Sequence, residues 1–151
     1  MLSDYLSTQM IRLQVEVADW RGAVRAGGDL LIAAGVCEPG YVEAMVRAVE
    51  QMGPYMVLAP GIALAHARPE DGVLKVGMSI VTLASPVDFG SETNDPVHLV
   101  IAFGAVDKNG HIGLLQELAK FLMVEGNQAV LKAARDADEV VQALRRSEEA
   151  E

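Results

Sequence analysis

Ala59-Pro60-Gly61-Ile62-Ala63-Leu64-Ala65-His66-Ala67-Arg68-Pro69-Glu70 reads as a Pro-Gly turn, a short apolar strand, and a histidine where the strand gives way to polar turn residues. A histidine in that place has its backbone held by the strand while one ring nitrogen faces solvent. The chain provides no Ser-His-Asp set, so the imidazole itself is the candidate reactive group. A single mounted imidazole suits a protein that carries a group better than one that hydrolyses a substrate.

On either side of this block, apolar and helical patterns alternate. Residues 11–17, Ile-Arg-Leu-Gln-Val-Glu-Val, alternate apolar and polar as a half-buried strand does. Asp19 is placed to cap a helix through Ala34 that Gly35 stops. Glu38-Pro39-Gly40 opens a second helix with Tyr41, Met45, Val46 and Val49 on one face, and Gly53-Pro54 closes it. Residues 55–58 and 62–65 flank the Pro60-Gly61 turn as short strands; residues 76–83 and 97–106 form longer ones. Asn109 is expected to cap a helix through Met123 with Ile112, Leu115, Leu118, Ala119 and Leu122 as its core stripe. Gly126 breaks it, two helices follow at 128–134 and 136–145, and residues 147–151 are expected to fray. The pattern predicts a single α/β domain over residues 1–151: a small mixed sheet of about five strands with helices on both faces.

Composition narrows the function classes. The chain has 151 residues, 51% hydrophobic and 22% charged, which suits a globular domain with a real core. Its formal net charge of −9 argues against a nucleic-acid binder. Its apolar runs are interrupted well short of the about 18 residues a membrane span needs, and the N-terminal residues lack the pattern of a signal peptide. A single cysteine, Cys37, cannot form an internal disulfide, which fits a reducing compartment; it is expected to be a buried small residue. Neither glycine-rich nucleotide fingerprint occurs, and Gly27-Gly28 falls inside a predicted helix as a packing feature. Three scattered histidines and a distant cysteine give no metal-ligand spacing, so no metal and no cofactor is expected.

The histidines differ in placement. From its residues alone His66 is equally an exposed turn histidine or a functional one. His98, inside the apolar run, reads as a satisfied sheet histidine or one at a strand start. His111 falls in the first turn of the helix opened by Asn109, where the dipole and free N–H groups favour an anion.

The block from Gly53 to Val73, the matches Val81-Thr82-Leu83, Pro86-Val87-Asp88-Phe89-Gly90 and Asn94-Asp95-Pro96-Val97, and Asp107-Lys108-Asn109-Gly110-His111-Ile112-Gly113-Leu114-Leu115 follow one another in register. Together they resemble the type-2 EIIA domains of the bacterial phosphoenolpyruvate-dependent sugar phosphotransferase system, the mannitol/fructose class. The Gly-Pro-Tyr and Ala-Pro-Gly-Ile-Ala wording is closest to the ascorbate-type branch. The resemblance implies a cytoplasmic phosphocarrier. His66 would accept a phosphoryl group from the phosphohistidine of HPr and pass it to an EIIB, in this branch to a cysteine, with membrane EIIC reached only through EIIB. His111 would position His66 or stabilise the phosphate. Within the same fold, a regulatory nitrogen-type EIIA and a binding module that lost transfer are the alternative readings.

Two departures stand out. The family usually has proline before the acceptor histidine, and this chain has Ala65. Its active-site arginine belongs to an Arg-Glu pair; the equivalent stretch here, Arg47-Ala48-Val49-Glu50-Gln51, differs in length by about two residues, which sets Arg47 back from the site. Arg68, just past the acceptor, is the nearer phosphate-binding candidate.

Overall fold

The computed structural model describes residues 2–149. Five strands, β1 (Ile11–Val15), β2 (Val57–Ala59), β3 (Ile62–Ala65), β4 (Gly77–Val87) and β5 (Val97–Gly104), form one sheet in the order β1-β4-β5-β3-β2. β1 runs parallel to β4 and β3 parallel to β5, whereas β2–β3 and β4–β5 are antiparallel. The sheet is therefore mixed, as the sequence predicts. β5 sits at its centre and is buried along nearly its whole length, which explains its unbroken apolar reading.

Helix α1 (Trp20–Ala33) begins at Asp19, whose carboxylate accepts from the Gly22 N–H at 3.0 Å. It lies flat on the sheet because Gly27 brings its backbone against Ala102 of β5; Ser79 of β4 donates to the Gly27 carbonyl at 2.9 Å, closing the only polar gap a buried serine would leave there. Helix α2 (Pro39–Met52) packs on α1 and buries Tyr41, Met45, Val46 and Val49, the face read from the sequence. The opposite face of the sheet carries α3 (Lys108–Met123), α4 (Asn127–Ala133) and α5 (Ala137–Glu149). Cys37 is buried, and burial pushes its thiol up to about 11, so it is an inert core residue at neutral pH.

Three expectations need correction. The cap of α3 is Asp107, not Asn109: its carboxylate accepts from the Gly110 N–H at 2.7 Å. Asp and Asn are both good caps, and the choice went to the one that follows the strand directly. The buried stripe of α3 is Leu114, Leu118 and Phe121, while Ile112 and Ala119 are exposed. The helix is apolar on more than one side; contact of His111 with Phe103 fixes its rotation, and residues three, seven and ten further on then face the core. The C-terminal helix does not fray from Ser147. It continues to Glu149, and Glu148 accepts from the Ser3 N–H at 2.9 Å and hydroxyl at 2.6 Å. Residues 150–151 lie outside the described residues.

Candidate functional site

His66 is the first residue after β3, at the carboxyl end of a strand that pairs in parallel with β5, where α/β sheets open their clefts. The run Ile62–Ala65 is buried throughout, so the backbone feeding His66 is fixed by core packing. His66 Nδ1 is 2.7 Å from the Leu64 carbonyl oxygen. A carbonyl only accepts, so Nδ1 carries the proton and Nε2 holds the free lone pair. The imidazole stacks on Phe103 at 5.2 Å between centroids and meets Tyr55 edge-on at 5.4 Å. Burial is the main cause that lowers the His66 pKa; nearby His111 lowers it further, and the bond to Leu64 opposes both. The ring is thus kept neutral and nucleophilic at neutral pH.

Two tyrosines clamp the backbone around it. The Tyr55 hydroxyl donates to the His66 carbonyl at 2.6 Å. The Tyr41 hydroxyl accepts from the Ala67 N–H at 3.0 Å and donates to the Phe103 carbonyl at 2.8 Å, tying the segment after His66 to the end of β5. In the sequence Tyr41 reads only as part of the apolar face of α2 and Tyr55 only as a strand residue; their partners lie 11 to 62 residues away. Tyr41→Phe leaves the Ala67 N–H and the Phe103 carbonyl without their partner and is expected to cost about 1–3 kcal/mol. Denaturant unfolding with an unchanged slope checks this.

His111 lies 5.5 Å from His66, ring centroid to ring centroid, in an edge-on arrangement. Its own N–H donates to the Asp107 carbonyl at 3.1 Å, so what it offers the site is its ring, not its backbone. The first-turn N–H groups of Lys108 and Asn109 remain outside the helical ladder.

Both histidines line a cavity of about 840 Å³ together with Arg47, Arg68, Met52 and Lys108. Both arginines offered by the sequence, Arg47 and Arg68, line the cavity. Arg68, with its side chain 74% exposed, pairs with Asp71 at 3.3 Å and approaches Glu70 at 3.7 Å. Arg47 reaches the cavity after all, and makes no hydrogen bond or close ion pair among the described residues. The length difference does not displace it, because α2 runs on to Met52 and presents its last turns to the His66 cleft. Lys108, unremarked in the sequence, adds a further cation. Among the described residues no three of His, Cys, Asp or Glu converge to hold a metal ion.

The geometry has counterparts. The family model described as phosphoenolpyruvate-dependent sugar phosphotransferase system, EIIA 2, matches residues 4–147. The ascorbate-specific EIIA component of Salmonella typhimurium is 48% identical over 139 residues, 91% of this chain and 90% of that one. The cryptic mannitol-specific enzyme IIA of Escherichia coli superposes with a TM-score of 0.87 at 33% identity, covering 96% of this chain and 98% of that one. The mannitol enzyme IIA of E. coli, solved in complex with its phosphorylated enzyme IIB, superposes with a TM-score of 0.81 at 32% identity, covering 93% of this chain and 97% of that one. This sheet, with these matches along almost the whole chain, makes the protein a member of the type-2 EIIA family of the phosphoenolpyruvate-dependent sugar phosphotransferase system.

Proposed function

We propose that the chain takes a phosphoryl group onto Nε2 of His66 from the phosphohistidine of HPr and passes it to a cysteine of an ascorbate-type EIIB, in the cytoplasm. The observation that carries this reading is the Nδ1–Leu64 hydrogen bond, which leaves Nε2 as the nucleophile facing the cleft. As the Nε2–P bond forms, the donor's N–P bond breaks. Positive charge then grows on the His66 ring, and the Leu64 carbonyl is already placed to spread it. The passing phosphoryl group is loose and negatively charged, so transfer depends on positioning and on donors for its oxygens. His111, Arg47, Lys108 and the start of α3 are those donors. No helix among the described residues is long and apolar enough to cross a membrane. Met52 and Val106, 67% and 50% exposed, form an apolar rim beside the cavity, and Ile112 lies one residue beyond His111 at 43%. Such a rim suits transient docking that keeps water from the phosphoramidate.

The test is intact-mass analysis after incubation with phosphoenolpyruvate, Enzyme I and HPr, followed by addition of ascorbate-type EIIB. One acid-labile gain of about 80 Da, the mass of HPO₃, that is lost again to EIIB is the expected course. A folded chain that gains no phosphate, or holds it against EIIB, contradicts the proposal.

The freed arginine gives a sharper expectation. Arg47→Ala should slow phosphoryl uptake about tenfold, the loss of one charge-assisted contact, and Arg68→Ala should change it little. Stopped-flow or quench measurements of uptake distinguish the two.

The depressed His66 pKa sets the pH dependence. Uptake needs the neutral ring, so its rate should hold from about pH 8 down past about pH 6.5, the ordinary imidazole value, and fall only below it. Stability follows with this sign: the folded His66 binds its proton less readily than the unfolded one. The unfolded chain therefore gains protons first as pH falls below about 6.5, and stability declines there. His98, also lowered, first by burial and then by Lys132, acts in the same direction. Melting curves across that window, with His66→Gln flattening part of the decline, check the sign.

A further inference from the structure

The geometry points to a second binding site, for the phosphate group of a small organic phosphate, at the pole of the sheet opposite His66. There a cavity of about 590 Å³ opens at the amino ends of β3 and β5, lined by Gly61, His98 and Lys132 together with Gln14 and Thr82. Its size falls within the range of small-molecule pockets.

Three donor groups from three elements border this cavity. Lys132 comes from the last turn of α4 and makes no ion pair among the described residues. His98, second in β5, has its backbone N–H bonded to the Gly61 carbonyl at 2.9 Å, but its imidazole makes no hydrogen bond to any described residue; the sequence expectation of a satisfied sheet histidine holds for its place at the strand start and not for its ring. Lys132 is the charged neighbour that acts on the His98 ring. Gln14 supplies the third. Its backbone is in the left-handed region at φ 56°, where a register shift between Arg12 and Val15 interrupts β1, and its N–H donates to buried Thr82 at 2.9 Å. A non-glycine residue held in that conformation costs on the order of 1–3 kcal/mol, and such strain gathers at ligand clamps. Here it leaves the side-chain amide beside the cavity with no hydrogen bond to any described residue.

The carboxylate at this end, Asp95, is consumed within its own loop, accepting from the Phe89 N–H at 3.1 Å and the Gly90 N–H at 2.8 Å. With Asp95 turned to its own loop, the cleft still presents an ammonium, an imidazole and an amide for binding. Three donors match the three free oxygens of a phosphate ester, and the rest of the wall offers Pro60, Leu83, Pro86 and Pro96 to its carbon skeleton and Thr93 to its hydroxyl groups. No part of this cavity lines the His66 cleft, so the site is independent of the phosphocarrier reaction.

The test is NMR of the histidine ring resonances of the whole chain during titration with glycerol phosphate, and in parallel with inorganic phosphate, at ionic strength held constant with chloride. His66 and His111 report their own cleft, so occupancy there is read separately. The expected result is a saturable shift of the His98 ring with a Kd of about 1 mM or tighter. Lys132→Ala, a change at an exposed position, should weaken it about tenfold. A stronger response to the ester than to inorganic phosphate identifies an organic ligand; a response to inorganic phosphate alone moves the ligand to free phosphate and overturns the ester assignment. No saturable His98 shift, or one that Lys132→Ala leaves unchanged, overturns the site.

Discussion

His66→Gln is expected to take up no phosphate from phospho-HPr, whereas His111→Ala is expected still to do so, at a rate lowered about 100-fold to 1,000-fold. The asymmetry follows from what each ring supplies. Glutamine fills much of the imidazole volume but has no lone pair on nitrogen to form the N–P bond, so the reaction has no acceptor. His111 contributes a donor to the oxygens of a group in flight, and losing one such donor slows transfer without removing the nucleophile. Both substitutions should leave melting temperatures close to that of the native chain. His66 is half-buried and holds one backbone bond, and His111 borders an open cavity. A His111→Ala chain that also takes up nothing, while melting normally, would mean that the two histidines form a single acceptor unit.

Gly61→Ala is expected to be the most destabilising single-methyl change in the turn that aims β3. Gly61 is at φ 76°, its N–H donates to the Asn94 carbonyl at 2.9 Å, and its carbonyl accepts from His98 at 2.9 Å and Leu99 at 3.1 Å. An added Cβ would lie 2.6 Å from His98 Cε1 and collide with Nδ1. The left-handed conformation costs an alanine about 1–2 kcal/mol, and overpacking adds about 1–3 kcal/mol. A total of about 2–5 kcal/mol lowers the melting temperature of a chain this size by about 4–20 °C. Removing the obstacle in Gly61→Ala/His98→Ala should recover the packing part and leave the backbone part. A single Gly61→Ala variant that melts like the native chain would contradict the close approach of turn and ring.

The sequence made β3 and His66 legible because both are local: a Pro-Gly turn, a buried run of four residues and a polar break need no distant partner to be read. Asp19 and Gly35 bounded α1 for the same reason. Information was lost wherever a choice depended on the third dimension. Asp107 and Asn109 are both capable caps, and the strand that ends at Gly104 decides between them. Ile112 and Leu114 are equally apolar, and the contact of His111 with Phe103 decides which one is buried. Arg47 and Arg68 carry the same charge, but only the fold shows Asp71 neutralising one and α2 delivering the other. The tyrosine clamps and the Leu64 carbonyl that sets the His66 tautomer have no sequence signature, since a hydroxyl or carbonyl partner carries no periodicity.

The proposed reaction carries the phosphoryl group on Nε2 of His66. Long-range ¹H–¹⁵N correlation NMR of the phosphorylated, ¹⁵N-labelled chain reads this directly, because phosphorylation at Nε2 and at Nδ1 gives different ring nitrogen patterns. The hydrogen bond from Nδ1 to Leu64 predicts a single phosphohistidine at His66, bonded through Nε2, with Nδ1 still carrying its proton. A phosphate on Nδ1 of His66, or on His111, would contradict it.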